Sequence, residues 1–285
     1  MSGSLLLLFV FLSAFLAPPL SRLLRMPVPV GELVIGLLLG HFLAQGVALP
    51  EILGFLADFG FLLLMFLAGL EVDFNLLRQL ERRHFVFYAL YVVGMFLGAG
   101  LLAGLLGVGL AQALILALVS IGLMVATLRD MGILGRAFAK RVLILGVLGE
   151  VASLFGLTAM EKAAHYQGLL SLLKEVGIIA LFFLLLFLAF RLAGLFLWWY
   201  PEVGRRLVYE EDPSAMGIRL SLALMFAAAV MSGLVGLESV LGAFLAGMIL
   251  SYFLQKKHDL EAKLSAMGYG FLIPIFFIRT GMGID

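Results

Sequence analysis

The chain has 285 residues, 64% of them hydrophobic and 13% charged, with a formal net charge of +1. A soluble domain is about 45–50% apolar and about 25% charged, so a soluble fold is excluded and the lipid bilayer is the solvent able to accept this surface. Cysteine is absent, which removes disulfide and thiol chemistry; no polar stretch is long enough for a separate soluble domain, and nothing suggests nucleic-acid binding.

A helix crosses the hydrocarbon with about 20 apolar residues. Ten segments qualify, at 4–22, 28–47, 52–71, 85–107, 110–128, 141–160, 176–200, 216–235, 237–254 and 263–282. The first has neither a basic leader nor a small-x-small cleavage site and reads as a retained helix. The runs are too long and unbroken for barrel strands. The fold class is therefore all-α, a polytopic membrane protein of about ten transmembrane helices. Glu161 to Glu175 is amphipathic and reads as an external loop or surface helix. Of the 19 Lys and Arg, 15 fall after odd-numbered spans or beside the spans that follow them, from Arg22 and Arg25 to Lys263. The positive-inside rule then places those ends in the cytoplasm and the N-terminus outside. Trp198, Trp199 and Tyr200 fit an interfacial aromatic belt at the end of span seven.

Spans two and three carry Gly31-Glu32-Leu33-Val34-Ile35-Gly36 and Phe66-Leu67-Ala68-Gly69-Leu70-Glu71. Spans nine and ten carry Gly242-Ala243-Phe244-Leu245-Ala246-Gly247 and Ile278-Arg279-Thr280-Gly281-Met282. The interval from Gly36 to Gly69 nearly equals that from Gly247 to Gly281, so the second pair of spans reads as a copy of the first. The copies are an odd number of helices apart, hence inverted in the membrane, as in secondary transporters. If spans one to six are one unit and span seven a linker, the chain stops after the third helix of the second unit, and roughly 90–100 further residues are expected, in a fragment or a degenerate form.

Glu150 stands near the middle of span six, in Leu148-Gly149-Glu150-Val151. An acid at that depth costs roughly 2.5–3.5 kcal/mol on insertion scales. Dry surroundings disfavour its charged form, and a carboxylate so placed can hold a proton or a cation but not both. In span five, Gly122 permits unwinding beside Ser120; unwound carbonyls there could coordinate a cation next to Glu150, or the helix could continue with Ser120 bonded to its own backbone. Glu32 is a structural or secondary acid. Arg279 lies near the outer end of span ten, snorkelling or guiding ions. The four histidines do not cluster, so no metal site is expected, and no phosphate loop, nucleophile triad or cofactor motif is present.

The chain resembles the bacterial monovalent cation:proton antiporters, including sodium:proton exchangers and Kef-type potassium:proton systems. Pro29 to Gly40 resembles the family's second helix, Phe66 to Glu71 its third, Gly236 to Gly247 its ninth and Pro274 to Met282 its tenth. The resemblance implies a homodimer, no cofactor and no enzymatic activity. It also implies an elevator-type exchange of sodium or potassium for protons across the bacterial inner membrane. Residues 1–84 would be dimer-domain helices one to three and 85–161 the first half of the ion-translocating core. Residues 162–212 would hold an external loop and linker helix seven, and 213–285 dimer-domain helices eight to ten, with the last three helices absent. The family places an aspartate at the position of Glu150, usually after Asp, Asn or Gln rather than Gly149. It places a Thr-Ser or Thr-Asp pair at Val119-Ser120. Glu150 and Ser120 are thereby the candidate proton and cation ligands, with Gly122, Gly149, Gly36, Gly69, Gly242, Gly247, Pro274 and Gly281 as break or packing positions. Rival readings are a non-transporting membrane scaffold and a potassium-efflux subunit.

Overall fold

A computed structural model of the chain describes residues 3–43, 50–72, 82–109, 112–113, 117, 120–134, 136, 138–139, 141–146, 148–150, 152–153, 177, 184–185, 188, 191–192, 195, 199, 215–235, 237–253 and 258–284. Among these the secondary structure is helical: α1 (Gly3–Leu23), α2 (Val28–Leu43), α3 (Glu51–Leu70), α4 (Arg82–Leu106), α5 (Ile121–Asp130), α6 (Met216–Leu234), α7 (Ser239–Phe253), α8 (His258–Met267) and α9 (Ile273–Met282). Residues 141–146, 148–150 and 152–153 are helical as well. By length and composition, Gly3–Leu23, Glu51–Leu70, Val86–Leu106, Met216–Leu234 and Leu260–Met282 can each cross a membrane, and Val28–Phe42 and Ser239–Tyr252 are shorter apolar helices. The expected loop at 161–175, and Trp198 and Tyr200 of the aromatic belt, lie outside the described residues; Trp199 is helical and exposed.

Helix ends follow local backbone chemistry. α1 stops where Arg25 takes a left-handed conformation (φ 56°) and Met26 N–H donates to the Ser21 carbonyl. Gly107 after α4 and Gly132 after α5 close their helices with the same bond pattern, at no side-chain cost. Span ten is longer than the sequence suggests. α8 runs through one π-helical turn, Gly268–Leu272, straight into α9. Pro274 lies just past that turn; it has no N–H to give and its ring crowds the carbonyl four residues back, and the backbone widens to accommodate it.

α3 is the central helix. Every residue from Leu63 to Leu70 is buried, which requires neighbours on all sides. Phe66, Leu67 and Leu70 pack with Met225 of α6, Leu264 of α8 and Ile273 and Phe277 of the α9 segment. Met65 and Ala68 face Ile121 and Val125 of α5 and Phe244 of α7. The most apolar stretch of α3 is 56% buried, against 17% for α1 and 11% for α4, so the last two present their sides outward, where lipid would meet them.

Two glycine crossings close the bundle. A Cβ on Gly36 would strike the Ile278 carbonyl, and one on Gly281 would strike the Leu33 carbonyl and come within 3.0 Å of the Gly36 Cα. α2 and α9 thus pack backbone on backbone. α3 and α7 do the same, since a Cβ on Gly69 would strike the Phe244 carbonyl and one on Gly247 the Phe66 carbonyl. Small residues permit this approach where lipid offers no hydrophobic drive between helices. The sequence repeat equates Gly36 with Gly247 and Gly69 with Gly281. Exchanging the copies converts the α2–α9 crossing into the α7–α3 crossing, so the two contacts are halves of one pseudo-two-fold arrangement. Gly242 brings α7 onto the Ala228 carbonyl of α6 in the same manner.

Candidate functional site

α5 has ten residues. At 1.5 Å per residue that is about 15 Å, half the hydrocarbon thickness, so α5 is a half-membrane helix; Ser120 before it is exposed, and its first two residues, Ile121 and Gly122, are buried. Its N-cap is Ser120, in extended conformation, whose Oγ accepts from Leu123 N–H at 3.3 Å. Gly122 sits one residue inside the helix; its position faces the Leu64 and Met65 side chains of α3 at 3.0–3.3 Å, which leaves little room for a side chain. On the other flank, Gly146 of the helical stretch after residue 141 accepts the Met124 side chain at close range. α5 is thereby held between α3 and the segment that carries Glu150. Val119 lies outside the described residues.

Glu150 reaches the break. Its Oε2 accepts from Ile121 N–H at 2.9 Å. In an uninterrupted helix that N–H would donate to the Ala117 carbonyl, four residues back. Here the carbonyl has another donor: Ser153 Oγ lies 2.9 Å from Ala117 O and 2.7 Å from Gly149 O. Glu150 and Ser153 are three residues apart on one helical face. Together they split a single helical hydrogen bond of span five, the glutamate taking its donor and the serine its acceptor. The positive end of the α5 dipole faces the carboxylate as well. Gly149 is buried, and its carbonyl accepts from Ser153 Oγ.

The remaining candidates are not brought to this point. Glu32 is buried in α2, 4% exposed, and among the described residues the charge near it is Asp130, at the far end of α5. Asp130 Oδ2 accepts from Val28 N–H at 3.0 Å and so ties the last turn of α5 to the first of α2. Arg279 is half-buried in the last turn of α9, its guanidinium beside Gly283. Gly36, Gly69, Gly242, Gly247 and Gly281 serve packing, and Pro274 marks the π turn. Among the described residues no group of three His, Cys, Asp or Glu could hold a metal ion.

Sequence reasoning left three participants without a role. Ser153 could have been found from its three-residue spacing to Glu150. Asp130 had no signal beyond its position at a helix end. Arg129 counted only as a positive charge, yet its guanidinium lies over the Tyr269 ring, 4.6 Å from the centroid, joining α5 to the π turn. Such an arrangement, with an acid at the junction of a broken helix and backbone groups turned out of the helix ladder, can bind a proton or a small cation.

The chain is similar to known proteins along almost its whole length. Residues 11–285 match the model of the sodium/hydrogen exchanger, transmembrane, family. YjbQ of Bacillus subtilis is 28% identical over 306 residues, which cover 98% of this chain and 47% of its own length. The Na(+)/H(+)-K(+) antiporter GerN of Bacillus cereus is 27% identical over 288 residues, 96% of this chain and 70% of its own. The glutathione-regulated potassium-efflux system protein KefC of Escherichia coli is 28% identical over 284 residues, 96% of this chain and 44% of its own. The chain thus spans about half the length of YjbQ and of KefC. A match along almost the whole sequence, on a helical membrane bundle, means that the chain belongs to the sodium/hydrogen exchanger family.

Proposed function

We propose that the protein exchanges a monovalent cation, sodium or potassium, for protons across the bacterial inner membrane, with its N-terminus outside. Glu150 is the shared site. Protonated, it is neutral; deprotonated, it is neutralised by one cation, so either occupant lets the site move without carrying a bare charge through a dry bundle. α5 and the Glu150 helix belong to a moving core. α1–α3 and α6–α9 form the scaffold, which dimerises with a second copy. The observation that carries this reading is the 2.9 Å bond from Ile121 N–H to Glu150, which puts the acid at the junction of a half-helix. The kinship with GerN, named for sodium and potassium, and with KefC, named for potassium efflux, keeps both ions as substrates to test.

The test uses the full-length protein in everted vesicles holding a proton gradient. Adding sodium or potassium chloride should dissipate the gradient, and Glu150→Gln should abolish that response. Exchange at the normal rate in Glu150→Gln removes Glu150 from the mechanism.

A further inference from the structure

Ser153 is 1% exposed, and its hydroxyl has one proton and two lone pairs. Two carbonyl oxygens lie within reach, Gly149 O at 2.7 Å and Ala117 O at 2.9 Å. One proton cannot serve both fully. Gly149 O is inside a helix and has the ladder donor of its own turn. Ala117 O has lost its ladder donor, because Ile121 N–H is bound to Glu150. The Ala117 carbonyl is thus an unwound backbone oxygen at the break, covered by a hydroxyl that can turn away from it.

Turning needs only rotation about the Cβ–Oγ bond. With the proton on Gly149 O, the lone pairs of Ser153 Oγ face the break, and Ala117 O is released beside them. Carbonyl, hydroxyl and carboxylate oxygens are the hard ligands that alkali cations take in place of water. Two oxygens 2.9 Å apart are close enough for one cation to bridge. We propose that Ser153 is a ligand of the transported cation, joining the Ala117 carbonyl and the Glu150 carboxylate around one monovalent ion. The assignment rests on the exchange reading and deepens it. Ser153 supplies a neutral oxygen next to the charge, so it sets affinity, while Glu150 sets the competition with protons. When no cation is present the same hydroxyl donates to Ala117 O, and the buried carbonyl stays satisfied.

Two measurements on the full-length protein separate the possibilities. Purified protein would be titrated with sodium chloride or potassium chloride, against choline chloride, while thermal unfolding is followed; a bound ion stabilises the fold. The same variants would be assayed for cation-driven proton movement in vesicles. Ser153→Ala should raise the cation concentration for half-maximal stabilisation, and the KM for exchange, about tenfold or more, with the maximal rate little changed. Ser153→Thr, which keeps the oxygen, should restore both to near the wild-type values. Wild-type affinity in Ser153→Ala overturns the assignment. A fall in maximal rate at unchanged KM also overturns it, because that is the signature of a purely structural role, and so does the absence of stabilisation by either salt. Binding that depends on Ser153 in a protein that moves no protons would overturn the exchange reading and leave the ligand assignment standing.

Discussion

Replacing Glu150 by alanine and by glutamine should separate its structural from its transport role. Alanine leaves Ile121 N–H, now bonded at 2.9 Å, without its acceptor. An orphaned buried donor costs about 1–3 kcal/mol, and the loss of an acid at a helix N-terminus adds about 0.3–1 kcal/mol. Glu150 is half-buried, so water can reach part of the site and the lower part of that range applies, about 1–2 kcal/mol. Glutamine keeps a side-chain oxygen of the same reach and loses only the charge, so it should cost less than about 1 kcal/mol. Unfolding in mixed micelles measures the difference, and the vesicle assay measures exchange in the same preparations. Both variants should be inactive and only Glu150→Ala clearly less stable. If glutamine destabilises as much as alanine, or alanine costs nothing, the Ile121 bond is not what holds the break.

Glycine replacements should change sign with position. Gly247→Ala forces a methyl group onto the Phe66 carbonyl and should destabilise by about 1–3 kcal/mol or more, whereas Gly54→Ala on α3 meets nothing within 4 Å and should stabilise by about 0.5–1 kcal/mol; equal unfolding midpoints would contradict the close crossing. Tyr269→Phe keeps the ring under Arg129 and with it the cation–π contact, whereas Tyr269→Leu loses it, about 0.5–1 kcal/mol, so the leucine variant should unfold earlier than the phenylalanine variant in the same assay. Because proton and cation compete for one carboxylate, the apparent KM for the cation should rise on acidification, approaching about tenfold per pH unit once the site is mostly protonated. A KM independent of pH, measured by cation titration of vesicles across the range, would mean separate sites.

The helices were legible because each is a local demand: a stretch must be apolar and long enough to satisfy its own backbone in lipid. α1, α3 and α6 end within a residue or two of the expected limits. Glu150 was legible for the converse reason, a carboxylate that the membrane disfavours. The repeat was legible as well, but not which of its glycines would meet. Sequence matches Gly36 to Gly247, whereas in space Gly36 lies on Gly281 and Gly247 on Gly69.

Transfer free energy belongs to each segment alone, and so the sequence determined that the chain spans a membrane and where α1, α3 and α6 fall. Which donor meets which acceptor belongs to segments far apart in the chain. That Glu150 takes the Ile121 N–H, that Ser153 takes the Ala117 carbonyl and that Glu32 sits at the opposite end of α5 were decided only by tertiary packing. A serine in a membrane helix commonly bonds its own backbone four residues back, as Ser153 also does. Its second acceptor, across the break, exists only because the glutamate one turn earlier has taken that carbonyl's own donor away.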